Sequence, residues 1–420
     1  MSTILEDLEY RGLLFQITDR DELEKLLAKQ SVSLYVGFDP TADSLHIGSL
    51  IPILTLRRFQ LAGHKPIAVV GGATGLIGDP SGRKSERTLN APDVVQGWTE
   101  KIKRQLSAFI DFETEENPGI VVNNLDWSAP MTVIEFLRDI GKNFSVNTML
   151  SRESVAARLE SGISFTEFSY MLLQSNDFLE LFRRHDCVLQ IGGSDQWGNI
   201  VGGIDLIRRV AGAQAYGLTV PLVTKSDGTK FGKTESGAVW LDADKTSPYQ
   251  FYQFWLNTGD DDVVRFLKYF TFLSREQIEE LAHEVETNPG ARKAQRVLAE
   301  EVTTLVHGKA ETHRAIHLSN VLFSGDIEGL TVSELEDVFQ GVPSTVVTSD
   351  HQRDIVSLLL TSGACPSKRQ AREDITSGAI SVNGYKVGDV ERIFSSADMI
   401  GGQYLVIRRG KKKYFLLKFQ

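Results

Sequence analysis

Cysteine is nearly missing from this chain. Only Cys187 and Cys365 occur in 420 residues, far apart in sequence. That excludes a disulfide framework and suits a reducing, cytoplasmic setting. No cysteine–histidine spacing of a zinc site accompanies them, so no resident metal is expected. Long hydrophobic runs are missing too. The apolar stretches end far short of the ~20 residues that cross a bilayer, and no membrane partner is expected. The first residues, Met1-Ser-Thr-Ile-Leu-Glu-Asp-Leu-Glu9, are acidic and lack the basic-then-apolar layout of a secretory leader. There are no internal repeats and no low-complexity tracts. What is present, 41% hydrophobic and 24% charged residues, is the composition of a soluble globular protein. The length predicts two or three domains.

Charge of one sign is also unevenly spread. The formal net charge is −10, but residues 351–420 carry 12 Lys+Arg against 6 Asp+Glu. An acidic body with a basic tail predicts that the tail meets a polyanion.

The chain is organised around Ser33–Leu61. Ser33-Leu-Tyr-Val-Gly-Phe38 is apolar and β-prone, and Asp39-Pro40 breaks it. Asp43 and Ser44 are good N-caps, and an amphipathic run follows from about Leu45 to Leu61. The spacing predicts strand, turn and helix, with His46 and Gly48 in the first helical turn. Free N–H groups and the positive dipole end there suit phosphate. Gly48 lets a flat ring pack on its backbone.

A second stretch, Thr224-Lys-Ser-Asp-Gly-Thr-Lys-Phe-Gly-Lys-Thr234, is a glycine-punctuated loop with three lysines. Lys230 and Lys233 bracket Gly232, so both ammonium groups can reach one anion. A third, Gly71 to Gly82, is glycine-rich without the P-loop spacing and runs into Arg83, Lys84 and Arg87.

Apolar runs at Ile67–Gly71, Gly119–Asn124 and Cys187–Ile191 alternate with helical patterns at 92–112 and 165–184. This predicts an α/β fold with a doubly wound parallel sheet and ligands at the strands' carboxyl ends. On the helix at 165–184, Tyr170, Gln174 and Asp177 share one polar face. From Ser247 to Phe323 the patterns are helical only, with Pro248 opening the first helix. Residues 324–350 read as a linker with one short helix. In the tail, Lys368, Arg369 and Arg372 share a capped helix, Asn383-Gly384 marks a hairpin, and a second hairpin carries Arg408, Arg409, Lys411, Lys412 and Lys413.

Together, His46-Ile-Gly48-Ser49 after the first strand and Lys230-Phe-Gly-Lys-Thr234 after the sheet resemble the two signatures of class I aminoacyl-tRNA synthetases. Gly37-Phe-Asp-Pro-Thr-Ala-Asp-Ser-Leu-His-Ile-Gly48 is similar to the bacterial tyrosyl-tRNA synthetases, and the tail resembles the S4 RNA-binding module. The likeness runs over nearly the whole chain. It implies a Rossmann-like, HUP-type catalytic domain at 1–225, a signature loop at 226–246 and an anticodon-side helical domain at 247–323. A linker at 324–350 and an S4-like domain at 351–420 follow.

The resemblance also implies an activity: tyrosine and ATP give tyrosyl-adenylate and pyrophosphate, and the tyrosyl group then passes to the 3′ end of tRNA(Tyr). Tyr35 and Asp177 would bond the substrate phenol, and Asp79, Tyr170, Gln174 and Gln196 its ammonium group or surroundings, with Asn124 in the same network. His46, Lys230, Lys233 and Thr234 would serve the leaving pyrophosphate. Arg83 and Arg87 would add clamps, and Thr41 would lie across the phosphates. Asp39, Gly48, Ser49, Gly193 and Asp195 would border ATP. Lys368, Arg369, Arg372, Arg408, Arg409 and Lys411–Lys413 would meet tRNA. Magnesium would arrive with ATP, and a homodimer would form through residues 130–165.

Three positions depart from the family pattern: Ser49 stands for a second histidine, Val36 for a frequent cysteine and Arg83 for a frequent lysine. Two other readings stay open, a tryptophan-type sister enzyme and an RNA-binding protein on an inactive scaffold. Tyr35 and Asp177 weigh against the first, and His46 with Lys230 and Lys233 against the second.

Overall fold

The apolar runs become neighbouring strands because each buries both faces under helices. A computed structural model describes residues 3–81, 89–156, 158–159, 162–226, 231–234, 237–325, 327–348, 353–410 and 413–420. It divides into two compact units, 1–245 with 258–306, and 246–257 with 307–420.

The first unit holds a six-stranded sheet of β1 (Gln16–Ile17), β2 (Ser33–Phe38), β3 (Lys65–Val70), β4 (Ile120–Asn123), β5 (Cys187–Gly193) and β6 (Tyr216–Val220), ordered β1-β6-β5-β2-β3-β4. All neighbours run parallel except β1, which pairs antiparallel with β6. β2 lies at the centre with β3 and β5 on either side. The strand order reverses there, and that is where such sheets open a ligand crevice. Leu34, Tyr35, Val36, Leu189 and Val69 are all buried in or beside it.

Three local readings change. The lead-in is two helices, Ile4–Arg11 and Arg20–Lys29, separated by the edge strand β1. The N-cap after β2 is neither Asp43 nor Ser44. His46 caps a short 3₁₀ turn, Ile47–Ser49, before the helix Leu50–Leu61. Ser44 is instead occupied sideways, since its hydroxyl donates to the Leu45 carbonyl at 2.8 Å and accepts from Gln105 at 3.0 Å. The helix begun at Pro92 ends at Leu106, not Phe112.

In the second unit, Pro248–Leu256 is helical with Ser247 as its cap, as the proline predicted. Residues 324–350 hold more than the one short helix read there. A capping box on Thr331 starts the helix Val332–Val338, and Ser344–Val347 is a strand pairing parallel with Leu416–Phe419. That strand is the edge of a five-stranded sheet whose remaining neighbours, through Lys413–Phe419, Tyr404–Arg409, Ile380–Val382 and Tyr385–Lys386, are antiparallel. Asn383 and Gly384 take φ of +48° and +92°, the two left-handed positions of the hairpin turn that Asn-Gly predicts. Ile355, Leu358, Leu359, Ile375, Leu405, Ile407 and Leu417 pack as one core beneath this sheet.

Candidate active site

At the carboxyl ends of β2, β3 and β5 the first unit opens a cavity of about 580 Å³. Every residue expected at tyrosine or ATP that lies among the described side chains is on its wall. These are Tyr35, Asp39, Thr41, His46, Gly48, Ser49, Asp79, Asn124, Tyr170, Gln174, Asp177, Gly193, Asp195 and Gln196. Arg83, Arg87, Lys230, Lys411 and Lys412 lie outside the described residues, as do the side chains of Lys233 and Thr234. The described wall carries four carboxylates, Asp39, Asp79, Asp177 and Asp195, and no lysine or arginine. Such a wall suits an ammonium group.

One end of the cavity is closed. Tyr35 on β2 and Asp177 on the helix Phe165–His185 are both buried, at 1% and 4% exposure. The Asp177 carboxylate accepts from Asn124 Nδ2 at 2.9 Å and from the Trp127 indole N–H at 2.8 Å. Burial pushes its pKa up to about 7, and the two hydrogen bonds pull against that rise. The Tyr35 hydroxyl is buried with no hydrogen-bond partner among the described residues, and burial beside Asp177 pushes its pKa well up. A buried hydroxyl without a partner costs free energy that a ligand recovers.

Gln190 shares this condition. It stands opposite Tyr35 in the β2–β5 register, is 2% exposed, and its amide oxygen is also unpartnered. The sequence reading missed it. The available signal was an amide inside the otherwise apolar run Cys187–Ile191.

A chain of hydrogen bonds leads out from the closed end. Asn124 Nδ2 donates to Thr74 Oγ1 at 2.9 Å, and Thr74 donates to Asp39 at 2.6 Å. Tyr170 donates to the other Asp39 oxygen at 2.7 Å. Asp39 therefore contributes its carboxylate to this network. This explains Gly71, where a Cβ would come within 2.0 Å of an Asp39 oxygen. Thr74 and Trp127 were not legible as site residues. On the far wall, Gln196 Nε2 donates to Asp79 at 2.7 Å, and Asn199 donates to Gln174 at 3.0 Å. The polar face read on the helix is thus turned into the cavity.

The other end is open. His46 Nδ1 accepts from Gly48 N–H at 3.0 Å, which leaves the ring proton of the neutral form on Nε2. The imidazole folds over Gly48, where a Cβ would come within 2.7 Å of it. The ring that needs Gly48's bare backbone is the chain's own. His46 is exposed into the cleft, but the surrounding protein still lowers its pKa by desolvation. Ser49 lines the cavity and makes no side-chain capping bond.

The described residues that follow Lys230 are anchored. Phe231 stacks on Phe270 at 5.3 Å and meets Phe266 edge-on at 5.0 Å. Beyond the paired backbone of Lys233–Thr234 and Gly237–Ala238, Val239–Leu241 runs beside Leu45–Ile47.

The model for class I tRNA synthetases (W and Y) matches residues 27–324. The chain belongs to that family. The synthetase likeness extends past the cavity, because the tyrosine–tRNA ligase SYY-like C-terminal domain matches residues 334–417. Among curated synthetases, tyrosine–tRNA ligase 1 of Bacillus licheniformis is 62% identical over 421 residues, all of both chains. Tyrosine–tRNA ligase 1 of Bacillus subtilis is 60% identical over 422 residues, again all of both. Among solved structures, a C-terminally truncated mitochondrial tyrosyl-tRNA synthetase of Aspergillus nidulans aligns with a TM-score of 0.71 and 33% identity, covering 77% of this chain and 95% of that one.

In the second unit, Lys368, Arg369 and Arg372 are exposed on the helix Lys368–Thr376. Arg409 is used internally. Its guanidinium pairs with Asp374 at 2.7 Å and donates to the Ala364 carbonyl at 2.8 Å. Arg408 is half-buried and Lys413 exposed.

Proposed function

We propose that this chain is a tyrosine–tRNA ligase. It activates L-tyrosine with ATP, releases pyrophosphate, and transfers the tyrosyl group to the 3′ end of tRNA(Tyr). The observation that carries the reading is the closed end of the cavity. An Asp177 carboxylate held by two donors and a Tyr35 hydroxyl without a partner among the described residues face one buried space. A phenol fits both, donating its proton to Asp177 and accepting from Tyr35. A phenyl ring satisfies neither.

The substrate ammonium is assigned to Asp79, Tyr170, Gln174 and Gln196, and ATP to the open end bordered by Asp39, Gly48, Ser49, Gly193 and Asp195. The tyrosine carboxylate is already a nucleophile for the α-phosphorus. Catalysis is therefore alignment and stabilisation of charge on the departing pyrophosphate. His46 Nε2–H, Lys230, Lys233 and Thr234 would carry most of that stabilisation, with Thr41, Arg83 and Arg87 beside them. Magnesium enters as part of the ATP substrate.

The reading includes tRNA contact through Lys368, Arg369, Arg372, Arg408 and Lys411–Lys413. It also includes a homodimer through residues 130–165, where Val133, Ile134, Leu137, Val146 and Leu159 are exposed apolar side chains on the first unit. A cytoplasmic location suits two free, buried thiols.

The test is tyrosine-dependent exchange of pyrophosphate into ATP, followed by tRNA charging. Exchange driven by tyrosine but not by tryptophan or phenylalanine supports the reading, and absence of exchange overturns it. Lys368→Glu, Arg369→Glu and Arg372→Glu together should leave exchange unchanged. They should lower charging roughly tenfold or more and flatten its salt dependence, because phosphate contacts release counterions. Unchanged charging removes this helix from the tRNA surface.

A further inference from the structure

We propose that Trp240 is a positioning residue for His46. The inference rests on the synthetase reading above. The segment Val239–Leu241 lies antiparallel to Leu45–Ile47. Ile47 N–H donates to the Val239 carbonyl at 3.0 Å, and Leu241 N–H donates to the Leu45 carbonyl at 2.9 Å. His46 and Trp240 face each other across this bridge. The two bonds flank them, so they form a non-hydrogen-bonded pair, in which opposing side chains approach closest.

Their rings meet edge to face, with centroids 6.3 Å apart and planes at 66°. The indole is held from another direction by Lys245, whose ammonium lies 5.0 Å from the ring centroid and pairs with Asp43 at 2.5 Å. Asp43 also pairs with Lys101 at 2.9 Å. Asp43 precedes His46 by three residues and Lys245 follows Trp240 by five, so the Asp43–Lys245 ion pair ties the two sides of the bridge at one end. Val239 and Leu241 anchor the strap by burial, at 3% and 6% exposure.

The strap continues into the lysine loop, since Val239 N–H donates to the Gly232 carbonyl at 3.0 Å. Gly232 takes φ of +80°, and a Cβ there would press on Ile47 at 3.0 Å. Both signatures thus share one backbone ladder, and Trp240, on the strap that follows the second signature, touches the histidine of the first. Gly48 N–H fixes His46 at Nδ1, and Trp240 limits the remaining swing of the ring. Nε2–H is thereby held for the developing charge, as catalysis by prearranged donors requires.

The experiment is a double-mutant cycle on the full-length chain, read by kcat and by KM for tyrosine in pyrophosphate exchange. Trp240→Ala should lower kcat on the order of tenfold, the scale of a lost aromatic contact, and leave KM for tyrosine unchanged. Trp240→Phe, which keeps an edge, should recover most of the rate. In a His46→Ala background, Trp240→Ala should cost nothing further. An additive cycle, a rise in KM at constant kcat, or a Trp240→Ala enzyme as fast as wild type overturns the positioning role. If Trp240→Ala does not fold, Trp240→Leu runs the same cycle under the same outcomes. Wild-type protein that shows no exchange at all overturns the synthetase reading as well, and this separates the two failures.

Discussion

The two ends of the cavity are built differently. At the closed end every polar group sits on a strand, on a long helix, or on a residue packed against them, and is nearly free of solvent. At the open end His46, Gly48, Ser49, Gly193 and Asp195 sit where strands stop and helices begin, half-buried or exposed. The first arrangement suits discrimination. Groups on regular elements cannot move to accommodate the wrong ligand, and unpaired buried polar atoms penalise it. The second suits charge handling, because chain ends expose N–H groups and glycines admit phosphate closely. On the proposed reading, selection of an amino acid and chemistry on a phosphate use different parts of one fold.

Removing charge from the residues proposed to serve the pyrophosphate is the strongest way to separate them. Lys230→Ala or Lys233→Ala should slow adenylate formation about a hundredfold or more, the scale of a lost oxyanion donor. Tyrosine affinity, measured by equilibrium binding, should stay the same. Equal losses in both would erase the distinction between the two ends.

Next in size is Asp177→Asn. An amide leaves one of the two donors, Asn124 Nδ2 or Trp127 N–H, facing an N–H group, and it removes the charged acceptor for a phenol. The ratio of kcat/KM for tyrosine over phenylalanine should fall on the order of a hundredfold, as for loss of a charged hydrogen bond. An unchanged ratio in a folded variant removes Asp177 from phenol recognition.

The raised pKa of Asp177 sharpens the comparison by pH. The carboxylate must be ionised to accept the phenol proton. As pH falls through about 7, kcat/KM for tyrosine should drop toward roughly tenfold per unit. Asp177→Asn should lack that inflection. The folding linkage has the opposite sense. The folded-state pKa lies above the unfolded value of about 4, so the folded chain binds the extra proton in between. This group's contribution to stability is full below about pH 4 and is lost as pH rises through about 7. A flat pH profile for wild type from 6 to 8 would sink the assignment.

The smallest effect is Tyr35→Phe. Loss of one neutral hydrogen bond to the substrate should cost about 1 kcal/mol in kcat/KM for tyrosine. The unliganded protein should not lose stability, because the hydroxyl has no partner among the described residues. A marked fall in Tm with unchanged tyrosine kinetics would make Tyr35 structural only.

Local elements were legible where the cause is local. β2, β3, β5 and the helix from Phe165 announce themselves by apolar runs and caps, as does the hairpin at Asn383-Gly384. β1 did not, because two residues have no periodicity and pair only when β6 lies beside them. Ser344–Val347 failed for the same reason, since its partner strand lies about seventy residues further on. Ser44 looked like a cap, but Gln105, 61 residues away, reaches its hydroxyl. The polar face of Tyr170, Gln174 and Asp177 was legible from spacing. Its partners Trp127 and Thr74 were not.

By itself, then, the sequence determined the order of motifs, the segregation of basic residues into the tail, and the residue types that can handle a phosphate or a phenol. These follow from spacing, capping and composition, which act within a few residues. Only the tertiary structure decided which polar groups meet. The bonds Thr74–Asp39, Asn124–Asp177 and Tyr170–Asp39 span 35, 53 and 131 residues. A local pattern cannot specify a contact that exists only after strands have paired and excluded water, and that exclusion buries the Tyr35 hydroxyl and the Gln190 oxygen without a partner among the described residues.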